Sequence, residues 1–229
     1  MKILAIDTSA LTASVAVLED ETLKGEITFT TALTHSETIM PMIDKLLEGV
    51  CMKPSDIDIF ACSNGPGSFT GLRIGIGTIK GLSYGADKKA VGVSTLLALA
   101  YNVPYPDFLI CPIMDARRGQ VYNALYRYEN GSMVCEKEPR ALSLDELLST
   151  LNEKTIFVGD GVARYRTAIT EKMGDNAFFA PPNLCLGHAS SVALAAMHEK
   201  ALDASSLTAV YLRKPQAERE REEKLNIKD

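Results

Sequence analysis

The chain has 229 residues, of which 46% are hydrophobic and 23% are charged, and its formal net charge is −5 at pH 7. These proportions are typical of a globular protein that can bury a sizeable core, as one large domain or two small ones. The negative charge argues against this chain alone holding a polyanion such as RNA, but not against membership of a complex that does.

The amino terminus and the cysteine spacing both favour a reducing, cytoplasmic location. The opening segment MKILAIDTSA is typical of a strand rather than a signal peptide, because one lysine precedes too few apolar residues. No segment is long enough to cross a bilayer. The five cysteines show no CxxC spacing, so we expect neither a disulfide framework nor a zinc site.

The first half of the sequence predicts three strands, followed by helix, strand, helix, strand and helix. Apolar alternation and short apolar runs place the strands at 2–7, 12–19, 23–31, 57–62 and 91–93. Helical spacing places the helices at 36–50, 69–85 and 95–101. Their predicted N-caps are Ser36, Ser68 and Ser94.

The second half repeats this order after Pro104-Tyr105-Pro106, which we interpret as a linker. Strands are expected near 108–114, 120–128, 132–137, 155–158 and 177–180. Helices are expected from a capping box at Ser143 to Leu151, from the turn at Gly159 to Met173, and over 189–202. Two βββαβαβα units predict an α/β protein with an N-terminal lobe at 1–103, a C-terminal lobe at 104–215 and a charged tail at 216–229. The last helix is free to pack back on the first lobe.

The predicted helix at 69–85 carries glycines at helical spacing. At about 100° per residue, one face contains residues with mostly small side chains or none: Gly71, Ile74, Gly75, Thr78, Gly81, Leu82 and Gly85. Each interior glycine costs a helix about 1 kcal/mol relative to alanine, so another backbone should pack closely against this face. That backbone belongs either to a partner subunit or to this chain. The pattern alone slightly favours the chain itself, because buried helices also use small residues.

Five motifs follow one another along nearly the whole chain: ILAIDTS at 3–9, HSETIMPMIDKLL at 35–47, GPGSFTGLRIG at 65–75, DARRGQVYNALY at 115–126 and YLRKPQAE at 211–218. Together they resemble the TsaB family, also called YeaZ, within the ASKHA superfamily of actin, Hsp70 and sugar kinases. GPGSFTGLRIG followed by DARRG is the most specific part of the resemblance, whereas ILAIDTS alone would be weak.

The resemblance implies a two-lobed actin/Hsp70/sugar-kinase-like (ASKHA) fold and a non-catalytic role in tRNA threonylcarbamoyladenosine modification, which occurs on the adenosine 3′ of the anticodon. Such a subunit is a scaffold that binds the catalytic subunit TsaD directly and works with the ATPase TsaE through the complex. It is associated with tRNA only indirectly, through the complex, and does not bind membranes. It forms a homodimer when TsaD is absent.

The resemblance also implies that the first two helices of lobe one, at 36–50 and 69–85, form the shared face, which shifts the interpretation of the glycine face toward a partner. The implied interface residues are Ile39, Met42, Ile43, Leu46, Gly71, Ile74, Gly75, Thr78, Gly81, Leu82 and Gly85. Substitution of Gly75 or Gly81 by leucine is predicted to block association and leave the monomer folded.

The turn after the first strand is a weak candidate for nucleotide binding. Asp7, Thr8 and Ser9 stand where the superfamily has its first phosphate loop, but the glycine that lets backbone amides approach a phosphate is missing. The alternative is a structural hairpin in which Asp7 caps the turn. We therefore expect no cofactor in this chain's own cleft, and nucleotide only at the junction of the complex. The rival function is an ASKHA-type ATPase or small-molecule kinase that uses the cleft between the lobes.

The histidines argue against a metal site and against a metallopeptidase. TsaD-like subunits bind metal through His-x-x-x-His on a helix, but no two of His35, His188 and His198 are four residues apart. We expect His35 to help start the 36–50 helix instead. For Asp115, Arg117 and Arg118 two roles remain open, contact with an anionic partner group or a solvated hairpin turn.

Overall fold

Two five-stranded sheets form the frame of the protein. The computed structural model describes residues 1–31, 33–103 and 107–213. The first sheet contains β1 (Lys2–Asp7), β2 (Thr12–Glu19), β3 (Thr22–Thr30), β4 (Ile59–Gly65) and β5 (Lys89–Ser94), in the order β3-β2-β1-β4-β5. Strands β1 to β3 are antiparallel neighbours, and β4 and β5 continue from β1 in parallel.

The second sheet repeats this arrangement. It contains β6 (Leu109–Asp115), β7 (Gln120–Glu129), β8 (Ser132–Ser143), β9 (Thr155–Val158) and β10 (Ala177–Phe179), in the order β10-β9-β6-β7-β8. In both sheets the first strand is central, the next two add antiparallel on one side, and the last two add in parallel on the other. The predicted fold class, two βββαβαβα lobes, is confirmed.

The helices cover the faces of the two sheets. They are α1 (His35–Gly49), α2 (Phe69–Ala86), α3 (Thr95–Tyr101), α4 (Leu144–Ser149), α5 (Gly161–Met173) and α6 (Ala189–Ala196). Helices α1 and α2 share a core with one face of the first sheet, and α6 packs on the other face. Helix α3 contributes to the cores of both lobes. No helix in the described ranges is long and apolar enough to span a membrane.

Several predicted boundaries were wrong. Helix α1 begins at His35 rather than Ser36, because Thr34 is the N-cap and its amide donates to the Glu37 carboxylate at 3.0 Å. Ser94 precedes α3, but its side chain makes no capping hydrogen bond. Strand β8 extends to Ser143, since the residues beyond 137 continue to pair with β7.

Two further elements differ in extent. Strand β4 runs from Ile59 to Gly65 instead of 57–62, because residues 63 and 65 continue to pair with β5. Helix α6 ends at Ala196 instead of 202, because Leu202 leaves the helix path and pairs with Ala90 of β5 through two backbone hydrogen bonds of 2.9 and 2.8 Å. The predicted linker at 104–106 and the charged tail lie outside the described residues.

Candidate docking face and first-strand turn

The first half of the glycine face packs inside the chain, against the turn that follows β1. A Cβ atom on Gly71 would lie 2.0 Å from the backbone oxygen of Thr8, and one on Gly75 would lie 2.4 Å from the Thr8 hydroxyl. Neither position has room for a side chain. Gly75→Leu, predicted above to leave the monomer folded, is therefore expected to disrupt it.

The second half of the same helix is open. A Cβ atom on Gly77, Gly81 or Gly85 would meet no atom of the described chain within 4 Å, and the adjacent Tyr84 is 87% exposed. On the same side of the helix, Ile74, Thr78 and Leu82 are half-buried. We call the partly or fully exposed set the docking face: Ile74, Gly77, Thr78, Gly81, Leu82 and Gly85.

The apolar residues of α1 lie in the core of the first lobe. Ile39, Met42, Ile43 and Leu46 are each no more than 4% exposed, in the cluster that joins α1 to the first sheet. They offer a partner no side-chain surface. Their periodicity marks the buried side of the helix, but the burial comes from this chain's own strands.

The side chain of Asp7 holds the first-strand turn together. One carboxylate oxygen accepts hydrogen bonds from the amide and the hydroxyl of Ser9, at 2.8 and 2.7 Å. The other oxygen accepts from the Ser63 hydroxyl of β4 at 2.8 Å. Asp7 is 1% exposed. Each carboxylate oxygen therefore already has a partner within the chain, in the arrangement of a turn cap.

The loop before α2 lies directly on this turn. The amide of Ser68 donates to the backbone oxygen of Ser9 at 2.7 Å, and a Cβ atom on Gly67 would lie 2.5 Å from that same oxygen. On another side, a Cβ atom on Gly187 would lie 2.9 Å from the Asp7 carboxylate carbon. Backbone from two loops therefore occupies the space around Asp7 and Ser9.

A partly buried polar cluster joins β3 to the start of α6. One carboxylate oxygen of Glu26 accepts from the amide and the hydroxyl of Ser190, both at 2.9 Å, and the other lies 3.4 Å from Nδ1 of His188. The Nε2 atom of His188 lies 2.8 Å from the backbone oxygen of Asn183. Both ring nitrogens face acceptors, so this site favours the doubly protonated imidazolium.

The pKa values of this pair move in opposite directions. The hydrogen bond to Glu26 raises the pKa of His188, although burial acts against it. Burial would raise the pKa of Glu26, but hydrogen bonds from His188 and Ser190 lower it overall. Sequence reasoning missed this pair, because Glu26 lies within a strand and His188 precedes a helix far along the chain, with no shared motif.

The β6–β7 connection is organised by Asp115. Its carboxylate accepts from Nη1 of Arg164 at 2.6 Å, from the Tyr165 hydroxyl at 3.2 Å and from the Arg117 amide at 2.9 Å. Burial would raise the Asp115 pKa, but these hydrogen bonds lower it overall. Arg117 and Arg118 adopt positive φ angles of 61° and 54°. Asp115 thus ties this tight turn to the start of α5.

The structure provides no metal-binding cluster in the ranges it describes, where no three His, Cys, Asp or Glu side chains converge. His35 is the first residue of α1, and its Nε2 atom lies 2.8 Å from the backbone oxygen of Ala10. His35 therefore links the first-strand turn to the start of the helix.

Comparison with known proteins identifies the family. The sequence model of the family described as TsaD, tRNA N6-adenosine threonylcarbamoyltransferase, matches residues 28–221. The TsaB biosynthesis protein of Bacillus subtilis is 35% identical over 221 residues, covering 95% of this chain and 96% of that protein. The Escherichia coli TsaB protein is 36% identical over 167 residues, covering 70% and 72%.

Solved structures agree with the sequence relatives. The YeaZ structure from Pseudomonas aeruginosa superposes with a TM-score of 0.79 at 26% identity, covering 92% of this chain and 99% of that one. Component A of (R)-2-hydroxyglutaryl-CoA dehydratase from Acidaminococcus fermentans shares the fold, with a TM-score of 0.53 at 13% identity, over 90% of this chain and 100% of that one.

The duplicated five-stranded lobes define a protein of the two-lobed ASKHA class. Within that class, the chain belongs to the TsaB (YeaZ) family of tRNA threonylcarbamoyladenosine biosynthesis proteins, which is related to TsaD.

Proposed function

We propose that this chain is the non-catalytic scaffold subunit of a cytoplasmic complex that modifies tRNA with threonylcarbamoyl groups. In this proposal it binds TsaD directly through α2, works with TsaE through the complex, and reaches tRNA only indirectly. It forms a homodimer through the same face when TsaD is absent. Family membership supports a role in tRNA threonylcarbamoyladenosine biosynthesis. The open glycines of α2 support binding of a partner through this helix.

The observation that carries the proposal is the contrast between the two halves of α2. Gly71 and Gly75 are required by contacts inside the chain, whereas Gly77 and Gly81 are open. These two glycines together cost the helix about 2 kcal/mol relative to alanine. No packing within the described chain offsets that cost, but close approach of a partner helix would.

The composition of the docking face suits a helix partner. Small residues allow two helix backbones to approach closely, and the half-buried Ile74 and Leu82 add apolar area on the same side. Apolar contact with small residues at the closest approach is expected of a stable subunit interface. In this arrangement, α1 supports α2 from within the core and contributes little surface of its own.

The first-strand turn supports a non-catalytic role. Asp7 uses both carboxylate oxygens to hold Ser9 and Ser63, and the loop at Gly67 lies against Ser9. A phosphate loop instead directs free backbone amides toward its ligand. This geometry favours the scaffold over the rival proposal of an ATPase or kinase.

Co-expression with TsaD of the same organism tests the proposal. We expect the two chains to co-elute in size exclusion, and the complete system of TsaD, TsaE and the threonylcarbamoyl-adenylate donor to modify tRNA only when this chain is present. Separate elution, or equal modification in its absence, would refute the scaffold role.

A further inference from the structure

The last described segment, residues 202–213, crosses the first lobe, and we call it the strap. It begins at Leu202, which pairs with Ala90 at the edge of the first sheet. Leu207, 2% exposed, inserts into the core shared with α1 and α2. The Val210 amide then donates to the backbone oxygen of Asn64 at 2.7 Å. The strap is therefore fixed along its length to the sheet beneath α2.

The strap contacts the first turns of α2 through Tyr211. The Tyr211 ring stacks on Phe69 with ring centres 4.9 Å apart, and Nε of Arg73 donates to the Tyr211 hydroxyl at 3.2 Å. The Arg73 guanidinium also lies 3.8 Å from the centre of the Phe69 ring. Tyr211 thus contacts two α2 residues one helical turn apart, by stacking and by a hydrogen bond.

The strap also reaches the second lobe. Nη1 of Arg213 donates to the backbone oxygen of Ala116, at the β6–β7 connection. A cavity of about 70 Å³ at this point is lined by the strap, by the loop and first turn at the start of α2, and by Tyr122 of β7. Tyr211 lies between the anchor on the second lobe and the helix that carries the docking face.

We propose that Tyr211 is a positioning residue that holds α2 in the orientation in which the docking face can receive a partner helix. This inference rests on the proposed function. The open half of α2 is rich in glycine and has a low intrinsic helix propensity. Ile79 and Ser83 hold its buried side in the core, and the anchored first turns add to that order. When only a fraction of molecules is competent to bind, the apparent dissociation constant rises by the reciprocal of that fraction.

Hydrogen exchange on the isolated chain, at a concentration low enough to keep it monomeric, tests the anchoring without a partner on the docking face. Tyr211→Ala should speed exchange of the α2 amides between residues 72 and 78 about tenfold, while those of α5 in the second lobe stay unchanged. Tyr211→Phe keeps the ring stack and should change the α2 rates less than Tyr211→Ala does. Unchanged α2 exchange in Tyr211→Ala would overturn the proposal. If Tyr211→Ala folds poorly, Tyr211→Leu, which removes the stack but keeps apolar bulk, replaces it.

Binding to TsaD tests the consequence. Tyr211→Ala should weaken the affinity about tenfold, whereas Leu147→Ala, a core substitution in the second lobe, should lower overall stability without changing the affinity. If both variants weaken the affinity for TsaD equally, the effect of Tyr211→Ala arises from general instability, and the proposal is overturned. If Gly81→Leu abolishes binding but Tyr211→Ala does not affect it, the positioning role fails and the docking face stands. If neither substitution affects binding, the docking face itself is wrong.

Discussion

The hydroxyl of Thr8 donates a hydrogen bond of 2.8 Å to the backbone oxygen of Gly71, joining the turn after β1 to the first turn of α2. The two backbones are so close that a side chain on Gly71 would collide with the Thr8 carbonyl. This contact places α2 directly on the turn that the sequence made a weak candidate for nucleotide binding. The same helix then extends beyond the contact, where its glycines are open.

Double-mutant cycles with Thr8→Ala test which atom of Thr8 each of the two buried glycines contacts. Gly75→Ala and Gly71→Ala should each lower the free energy of unfolding by about 2 kcal/mol or more, through overpacking. The nearest atom to a Cβ at Gly75 is the Thr8 hydroxyl, whereas at Gly71 it is the Thr8 backbone oxygen. Thr8→Ala should therefore relieve Gly75→Ala but not Gly71→Ala, as measured by urea unfolding.

That cycle has its own control in Thr8→Ala alone. Loss of the hydrogen bond to Gly71 should cost about 1 kcal/mol. Equal coupling of Thr8→Ala to both glycine substitutions would contradict the contact geometry.

The open glycines should behave in the opposite way. Gly77→Ala and Gly81→Ala add a methyl group where the described chain has space, and each should raise the free energy of unfolding of the monomer by about 0.5–1 kcal/mol. Thermal and urea unfolding of the monomeric protein measure this. Destabilisation by either substitution would show that the second half of α2 is also packed within the chain.

The ion pair between His188 and Glu26 should make stability depend on pH. The folded pKa of His188 lies above its ordinary value of 6.5, so its contribution is complete below that pH and is lost as pH rises through the folded pKa. The folded pKa of Glu26 lies below its ordinary value of 4.5. Its contribution to stability is therefore complete above pH 4.5 and is lost as the pH falls through the folded pKa. The ion pair should therefore contribute most to the free energy of unfolding between pH 4.5 and pH 6.5.

His188→Gln measures this effect. The substitution should cost more free energy of unfolding at about pH 5.5 than at about pH 8.5, by roughly 1 kcal/mol for a partly buried pair. His198→Gln serves as a control histidine outside this cluster. An equal cost of His188→Gln at both pH values would show that the charge on the ring contributes nothing.

ATP binding by the isolated chain distinguishes the scaffold proposal from the rival proposal of a nucleotide-dependent enzyme that uses the Asp7 turn. We expect the isolated chain to bind no ATP at micromolar concentrations in calorimetry with magnesium. Asp7→Ala should destabilise the fold by about 2 kcal/mol or more, because the Ser9 amide and the Ser63 hydroxyl lose their buried acceptor. Micromolar ATP binding that disappears in Asp7→Ala would support the rival.

The order of strands and helices along the chain could be predicted from the sequence, because the type of each element follows from a local pattern. The alternation over 12–19 is typical of a strand, and the Asn130-Gly131 pair suits a hairpin turn, without reference to distant residues. The end of α6 could not be predicted in this way. It depends on the pairing of Leu202 with Ala90, a contact between residues far apart in the sequence.

The candidate site was harder to predict, because periodicity reveals which side of a helix is covered but not by which chain. The apolar residues of α1, such as Ile39, have the same spacing whether they meet a partner or their own sheet. The glycine face raised the same ambiguity. In the structure, Gly75 of that face packs against this chain and Gly81 is open. Only three-dimensional packing separates glycines required by a neighbouring backbone from open ones.

The affinity of Gly81→Leu for TsaD is the most direct test of the central claim. The substitution adds a bulky side chain on the docking face, where a Cβ atom meets nothing in the described chain. The monomer should stay folded and at least as stable, while binding measured by titration calorimetry falls by 100-fold or more, on the order of 3 kcal/mol. Ala168→Leu adds the same side chain to an exposed position of α5 and should bind normally. Binding of Gly81→Leu at the strength of the wild type would contradict the account.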